Sequence, residues 1–251
     1  MSDAARDLHD PGRLPDPGEV ARIAERLAAV RARIASAAQR AGRDPADIDL
    51  LVVTKTVPEG RLRAAHAAGV KRMGENKVQE ARLKAEALAD LGMPWVLIGH
   101  VQTNKARDAA LVAHELQSLD SLRLAEALDR RLQAAGRGLD VYVQVNTSGE
   151  DTKFGLPPEE VAGFLTRLAA YQSLRVRGLM TLAAHSTDTA RVRACFDLLR
   201  TLRDAGRQAG TIGDGLLSMG MSGDREPAIE AGSTCVRVGQ AIFGTRPAPR
   251  A

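Results

Sequence analysis

Lys55 is the residue whose position in this sequence most directly suggests chemistry. It follows the apolar run LLVVT, so its amine is expected to emerge from the end of a buried strand. Burial disfavours the charged ammonium and leaves a better nucleophile toward an aldehyde. The alternative is an ordinary lysine whose stem covers apolar surface while its charge reaches water. The residues in neighbouring loops are needed to distinguish a reactive amine from an ordinary lysine.

Two segments near the end of the chain have the composition of a phosphate site. Residues 221–224 (MSGD) offer a hydroxyl and a glycine turn, and Gly239-Gln240 begins the short stretch QAIF. The loops after the last two strands of α/β barrels commonly hold phosphate with backbone N–H groups and a short helix N-terminus. Helix capping by Ser222 or Asp224 would explain the first loop alone. Because two such loops occur, we favour the phosphate site.

Arg237 lies two residues before Gly239, where strand alternation allows its guanidinium to face inward toward a bound ring. Arginine can donate to a pyridine nitrogen but cannot keep it protonated, so the ring would be a weak electron sink. The alternative is an outward-facing arginine in a surface ion pair. A lysine, a ring partner and a phosphate site together would fit one cofactor.

Eight apolar runs alternate with helical patterns and would position these residues. The runs are Ile48–Thr54, Val70–Met73, Trp95–Ile98, Glu115–Leu119, Leu139–Val145, Leu174–Met180, Leu216–Met219 and Cys235–Val238. Eight β/α units in strict alternation predict a single (β/α)8 TIM barrel of the α/β class, with its polar strand ends converging on one face. An open doubly wound sheet is the alternative, but no G-x-G-x-x-G follows the first run.

An amphipathic helix precedes the first run. Its apolar positions recur at steps of three and four residues: Val20, Ile23, Leu27, Val30 and Ile34. This extra N-terminal helix is expected to plug or flank the barrel. Residues 1–18 are rich in Pro, Gly and Asp and are predicted to be a disordered tail, so the barrel domain spans residues 19–248.

Composition argues against several classes of protein. The 35 Lys and Arg are interspersed with 31 Asp and Glu, and aromatic residues make up 3% of the chain, which disfavours a nucleic-acid groove. The only two cysteines, Cys195 and Cys235, form no metal-binding pattern and are compatible with a reducing cytoplasm. Neither a signal peptide nor a run of about 18 apolar residues is present, so we expect a cytoplasmic protein that binds no membrane.

The sequence resembles the pyridoxal phosphate homeostasis proteins, which are related in fold to the N-terminal barrel domain of alanine racemase. The resemblance extends from about Val20 to Arg246. The segments that carry it are VTKT (Val53–Thr56), GENKVQE (Gly74–Glu80), IGHVQTNK (Ile98–Lys105), RGLM (Arg177–Met180), SMGMS (Ser218–Ser222) and GSTCVRVGQAIFG (Gly232–Gly244).

The resemblance implies that pyridoxal 5′-phosphate (PLP) is the cofactor and that Lys55 holds it as a Schiff base. The other implied cofactor-binding residues are Ser222, Gly239 and Gln240 at the phosphate, Arg237 at the pyridine nitrogen, and Asn76 in the same pocket. Two positions depart from the family pattern: Val96 stands where a His is common, and Gln240 replaces Thr or Ser. The second change leaves the backbone N–H of Gln240 available.

Three functions remain open at this stage. The first is a non-catalytic, monomeric carrier that maintains PLP homeostasis and transiently meets PLP-dependent apo-enzymes. It is favoured because the chain ends at Ala251 without the second domain and partner tyrosine of a racemase. The second is a weak amino-acid racemase that uses Lys55 with water or His100. The third is a phosphosugar barrel, which would be colourless.

Three further polar residues near the predicted mouth are weaker candidates. His100 and Lys105 could act in acid–base chemistry, but a hydrogen-bonded scaffold histidine and a helix-surface lysine are the more ordinary interpretations. Lys153 could hold cofactor transiently as a second amine, although a solvated loop lysine is the commoner case.

Overall fold

Eight parallel strands form a closed ring in the order in which they occur in the sequence. The computed structural model describes residues 14–244. The strands are β1 (Asp49–Val53), β2 (Met73–Glu75), β3 (Trp95–Leu97), β4 (Ala113–Leu119), β5 (Leu139–Gln144), β6 (Leu174–Met180), β7 (Leu216–Ser218) and β8 (Cys235–Val238). The helices are α1 (Pro17–Arg40), α2 (Glu59–Ala67), α3 (Val78–Ala87), α4 (Ala106–Val112), α5 (Leu122–Ala134), α6 (Val161–Leu168), α7 (Thr189–Gln208), α8 (Arg225–Glu230) and α9 (Gln240–Phe243).

The first and last strands close the barrel. Leu51 of β1 is in register with Arg237 of β8, and Val52 with Val238, while β1 also pairs with β2 on its other side. An open sheet would leave β1 or β8 at an edge, so the predicted (β/α)8 barrel is confirmed and the doubly wound alternative is wrong. Parallel strands in a closed ring place all their carboxyl ends at one mouth.

Helix α1 flanks the barrel instead of plugging it. Asp16 caps the helix by accepting hydrogen bonds from the backbone of Gly18 (3.0 Å) and Glu19 (3.2 Å), as an N-cap residue does. The buried apolar side of α1 contacts α2, α8 and α9. Because α9, the helix that follows β8, has only four residues, α1 fills the remaining place in the outer layer of helices.

The second strand differs from its prediction. We expected it at Val70–Met73, but β2 spans Met73–Glu75. Val70 belongs instead to the C-terminal cap of α2, where its N–H donates to Ala65 O (3.0 Å) and Gly69 donates to His66 O (2.9 Å). This is a Schellman motif, whose residue after the glycine is commonly apolar and buried. The apolar character of Val70 therefore reports a helix end.

The predicted boundaries also shift at the start of the chain. Residues 17 and 18, assigned to the tail from sequence, form the first turn of α1. Residues 1–13 of the predicted tail and residues 245–248 of the predicted barrel domain lie outside the described residues. In the described part of the chain, no helix combines the length and apolar character needed to cross a bilayer.

Candidate functional site

A cavity of about 410 Å³, here called the main cavity, lies at the carboxyl ends of β1, β6, β7 and β8. It collects residues from four strand ends that are far apart in sequence. Its lining includes five of the six residues predicted to bind cofactor: Lys55, Ser222, Arg237, Gly239 and Gln240. Val53, Ala184–Ser186, Val192, Met221, Gly223 and Asp224 complete it. One amine, one guanidinium and two loops of the predicted composition therefore share a single cavity.

The loop between β7 and α8 holds Ser222 at this cavity. The carboxylate of Asp224 accepts the Met221 N–H (2.6 Å). Arg225, which is 1% exposed, donates to the Ser222 carbonyl (2.6 Å). In the part of the chain that the structure describes, the Ser222 hydroxyl makes no hydrogen bond, so it is available to a ligand.

Gly239 allows the last strand to approach the first. A Cβ at this position would lie 2.8 Å from the Val53 carbonyl oxygen and 3.3 Å from the Val53 Cβ. The residue also precedes α9, which begins without a side-chain cap. The first N–H groups of a helix lack internal partners, so this turn presents backbone donors beside Lys55.

Arg237 is buried inside the barrel mouth and does not form the surface ion pair considered as an alternative. It is 3% exposed, and its two terminal nitrogens donate to Ser218 Oγ (2.5 Å) and Thr181 O (2.7 Å). Burial lowers the pKa of the guanidinium, and Cys235 and Asp224 partly oppose this effect. Since the intrinsic pKa of arginine is so high, the group still carries its charge at neutral pH.

A chain of polar side chains continues from Arg237 through the barrel interior. Ser218 Oγ donates to Gln117 Oε1 (2.6 Å), and Gln117 Nε2 donates to Glu115 Oε1 (2.6 Å). Glu115 pairs with Arg72 (2.9 Å), which also pairs with Asp49 at the start of β1. This axial network links the mouth to the opposite end of the barrel and fixes the orientation of Arg237.

A second space of about 260 Å³, the adjoining cleft, lies on the other side of Lys55, between α2 and α9. Arg61 lines it and donates to Phe243 O (2.9 Å) and Glu19 Oε1 (2.6 Å). Its guanidinium also lies 5.5 Å from the ring centre of Phe243. Cations near the C-terminus of a helix are favourable, and these contacts hold α9 against α1 and α2.

Asn76 lies apart from the other five predicted residues. It lines a cavity of about 540 Å³ with His100, Lys105, Lys153 and others, here called the Asn76 cavity, which shares no lining residue with the main cavity. A Cβ at Gly99 would overlap the Asn76 carbonyl oxygen. The absence of a side chain at Gly99 therefore lets the turn after β2 pack closely against the end of β3.

The weaker candidates all lie at the Asn76 cavity. His100 Nδ1 is 3.0 Å from Asp120 Oδ2, and its ring stacks on Phe154 at 4.0 Å. Burial raises the pKa of Asp120, and His100 opposes the shift. Lys153 donates to Ala183 O (2.7 Å) and Glu150 (3.2 Å). These contacts hold the side chains of His100 and Lys153 in place, as expected for structural residues.

Sequence reasoning missed a buried charged cluster behind Lys55. It consists of Glu75, Glu80 and Lys84, with Lys84 Nζ at 2.7 Å from an oxygen of each carboxylate. Glu75 lies outside the strand predicted at Val70–Met73, and Lys84 was not among the candidate residues. The available signal was the i, i+4 spacing of Glu80 and Lys84, which places both on one face of α3.

The buried cysteines Cys195 and Cys235 are both free thiols. Within residues 14–244, no three His, Cys, Asp or Glu side chains are grouped so that they could hold a metal ion.

Comparison with known proteins places the chain in a family. Residues 26–247 match the family model described as alanine racemase, N-terminal domain. The pyridoxal phosphate homeostasis protein of Pseudomonas aeruginosa is 44% identical over 225 residues, which cover 89% of this chain and 96% of that protein. The chain belongs to the pyridoxal phosphate homeostasis protein family. The resemblance found in the sequence motifs is confirmed.

Solved structures agree with the membership in the pyridoxal phosphate homeostasis protein family. The structure of PipY from Synechococcus elongatus with PLP bound is 37% identical, has a TM-score of 0.78, and is matched over 88% of this chain and all of that chain (100%). Alanine racemase from Streptomyces lavendulae has a TM-score of 0.67 at 21% identity, over 89% of this chain and 58% of that chain. The second likeness concerns the fold alone.

Proposed function

We propose that this chain binds PLP covalently through Lys55 in the main cavity and serves as a cytoplasmic carrier of the cofactor. The observation that carries the proposal is the convergence of Lys55, Ser222, Arg237 and the Gly239-Gln240 turn on one cavity. A relative solved with PLP bound and relatives named pyridoxal phosphate homeostasis protein support it.

The main cavity fits such a group in size and chemistry. Its volume of about 410 Å³ falls in the range of small-molecule sites. PLP supplies an aldehyde and a phosphate dianion. We assign the phosphate to the Ser222 hydroxyl and the backbone N–H groups at Gly239 and Gln240, because uncapped helix starts bind anions. Arg237 is assigned to the ring nitrogen, as a donor already oriented by Ser218 and Thr181.

Lys55 provides the covalent bond. Its neutral Nζ adds to the aldehyde carbon, a C=N bond forms, and the aldehyde oxygen leaves as water. The reverse addition of water frees the amine, so the attachment is reversible. Reversibility suits a protein that stores a reactive aldehyde and later releases it.

The identity of the ring partner favours storage over catalysis. A guanidinium donates hydrogen bonds but cannot act as the anionic partner that keeps a ring nitrogen protonated. Arg237 therefore offers less support to carbanion chemistry than a carboxylate would. We infer that the chain acts as a monomer and passes PLP to apo-enzymes through transient contact, and that this role does not require turnover.

A spectrum combined with mass mapping tests the proposal. Protein loaded with PLP is expected to absorb visible light, and borohydride should convert the bond to a stable adduct on Lys55. Lys55→Ala should lose both signals. Lys153→Ala is the matched control, because it removes another amine from the mouth region that lines the Asn76 cavity and not the main cavity, and it should retain both.

Three results would contradict parts of the proposal. A visible covalent form that persists in Lys55→Ala would show that another lysine binds the cofactor. A colourless protein under all loading conditions would favour a phosphosugar barrel. Exchange of the α-hydrogen of an amino acid in deuterated water would establish the racemase alternative.

A further inference from the structure

The peptide groups on both sides of Lys55 are held by side chains from α3. Lys84 Nζ donates to the Thr54 carbonyl (2.7 Å). Glu80 Oε1 accepts the backbone N–H of Thr56 (2.6 Å). Glu80 and Lys84 are themselves paired at 2.7 Å. One ion pair therefore binds the backbone of the Lys55 loop on both sides of the lysine, at Thr54 and at Thr56.

Glu75, at the end of β2, also contacts Lys84 and Thr54. Its Oε1 accepts hydrogen bonds from Lys84 (2.7 Å) and from the Thr54 hydroxyl (2.5 Å). Glu75 is fully buried, and the side chain of Lys84 is 12% exposed. We call Glu75, Glu80 and Lys84 the Lys84 cluster.

Glu75 is costly to bury, which makes stability a poor explanation for its place in the Lys84 cluster. Desolvation of charged groups frequently outweighs their mutual attraction, and apolar replacements often stabilise. Burial raises the pKa of Glu75 even though Lys84 and Thr54 favour its ionised form. Its second oxygen, Oε2, is buried without a hydrogen-bonding partner in the described part of the chain. Part of the burial cost is therefore not recovered by hydrogen bonds.

The Thr54–Thr56 loop also contains a residue with a strained backbone. Thr56 has φ of 64°, the only positive φ among the non-glycine residues in the described range 14–244. β-Branched residues are rare outliers in this region. Such strain persists where the surroundings over-determine the backbone, and it clusters at functional sites. The hydrogen bond from the Thr56 N–H to Glu80 constrains the backbone of Thr56 directly.

We propose that Lys84, together with Glu75 and Glu80, is a positioning residue that fixes the Thr54–Thr56 loop so that the Lys55 amine is aimed into the main cavity. This inference rests on the proposed function, in which Lys55 is the reactive amine. It assigns no contact with the cofactor to the Lys84 cluster. The cluster acts on bond formation at Lys55 and leaves recognition of the phosphate and the ring to Ser222, Arg237 and Gly239.

The test compares two ligands that differ only at the reacting carbon. PLP forms the covalent bond, whereas pyridoxine 5′-phosphate has an alcohol in place of the aldehyde and binds through its phosphate and ring alone. In Lys84→Met we expect covalent capture of PLP to slow by about 10- to 100-fold, the scale of a misplaced reacting group. The dissociation constant for pyridoxine 5′-phosphate should stay within about twofold of the parent protein, since the binding contacts remain.

Arg63→Met is the matched control. Arg63 is also a buried cation with an i, i+4 partner, Glu59 (3.1 Å), and it caps the C-terminus of α3 by donating to Ala87 O (3.0 Å). None of its hydrogen bonds reaches residues 54–56. Removal of one partner of a buried ion pair is destabilising, so Arg63→Met should lose thermal stability as Lys84→Met should, yet capture PLP at the parental rate.

The conservative variant Glu80→Gln covers the case in which Lys84→Met does not fold. Its amide oxygen can still accept from Thr56, and Lys84 keeps its pairing with Glu75 while losing the charge of Glu80, so capture should slow less than in Lys84→Met. Parental capture by Lys84→Met, or by Glu80→Gln if only that variant folds, would overturn the inference. Equal weakening for both ligands would also overturn it, because the cluster would then support the whole cavity. If the parent protein itself formed no covalent bond with PLP, the proposed role of Lys55 would be refuted instead.

Discussion

Arg237 combines a fixed charge, near-complete burial and contact with a ligand cavity. Strand alternation on β8 allowed Arg237 to face inward but left an outward-facing surface ion pair open as the alternative. The anchors Ser218 and Thr181 come from β7 and from the residue after β6, and no pattern in the sequence indicates this pairing.

The first prediction concerns Arg237→Met. The change leaves the Thr181 carbonyl without its buried donor, which costs about 1–3 kcal/mol, although removal of a buried charge offsets part of it. We expect PLP retention to fall by at least about tenfold, the equivalent of one charge-assisted hydrogen bond. Equilibrium dialysis and urea titration measure the two effects. Ser218→Ala, which removes one anchor but keeps the guanidinium, should show a smaller loss of retention, and an equal loss would refute this account.

The second prediction is a dependence of stability on alkaline pH through Cys235. Burial, with the nearby charges of Asp49 and Glu115, raises the pKa of this thiol from 9.0 to about 12. A raised pKa means that the folded protein keeps a proton which the unfolded chain releases. The contribution to stability is therefore complete below pH 9 and is lost as pH rises toward 12, by at most about 1.4 kcal/mol per pH unit.

Urea titrations from pH 8 to pH 11 test this. Cys235→Ala should show a shallower loss of stability with rising pH than the parent, and Cys195→Ala is the control for removal of a buried thiol elsewhere in the fold. Identical slopes in all three proteins would exclude Cys235 as the source.

At the scale of elements, the close approach of β8 to β1 is what brings the Gly239-Gln240 turn beside Lys55. The third prediction is that Gly239→Ala forces these strand ends apart, because the added Cβ would stand 2.8 Å from the Val53 carbonyl. We expect a stability loss of about 1–3 kcal/mol and markedly weaker binding of pyridoxine 5′-phosphate. Gly163→Ala in α6 meets no atom within 4 Å and should stabilise slightly as a helix substitution. Unchanged binding in Gly239→Ala would contradict the assigned role.

Elements differ in how well the sequence predicts them, for identifiable reasons. Strands β6 and β8 have the predicted bounds, and a turn lies shortly before each of them. Strand β2 was displaced because Val70 serves a helix cap, a role that has the same apolar signature. Glu75 was missed as an interior residue because the predicted strand ended at Met73, two residues before it.

At the scale of the whole molecule, the continuous core extends from α1 through the ring of strands to the outer helices. The fourth prediction is therefore one cooperative unfolding transition. Trp95, the single tryptophan, is 3% exposed on β3, so its fluorescence should change together with the far-ultraviolet circular dichroism. PLP should raise the midpoint in proportion to RT ln(1 + [L]/Kd). Two separated transitions, or a midpoint insensitive to PLP, would contradict a single unit that binds through its native mouth.

The pairing of β1 with β8 also has a consequence for biosynthesis. Asp49 and Cys235, which are partners in that pairing, are 186 positions apart. At ordinary translation rates the ribosome needs about 10–40 s to add that many residues. For this interval the nascent chain carries an unpaired edge on its first strand, which is a site for aggregation unless chaperones shield it. The segment that ends the exposure also delivers Arg237 and Gly239, so the ability to take up the vitamin-derived aldehyde arises only when translation has reached the final strand.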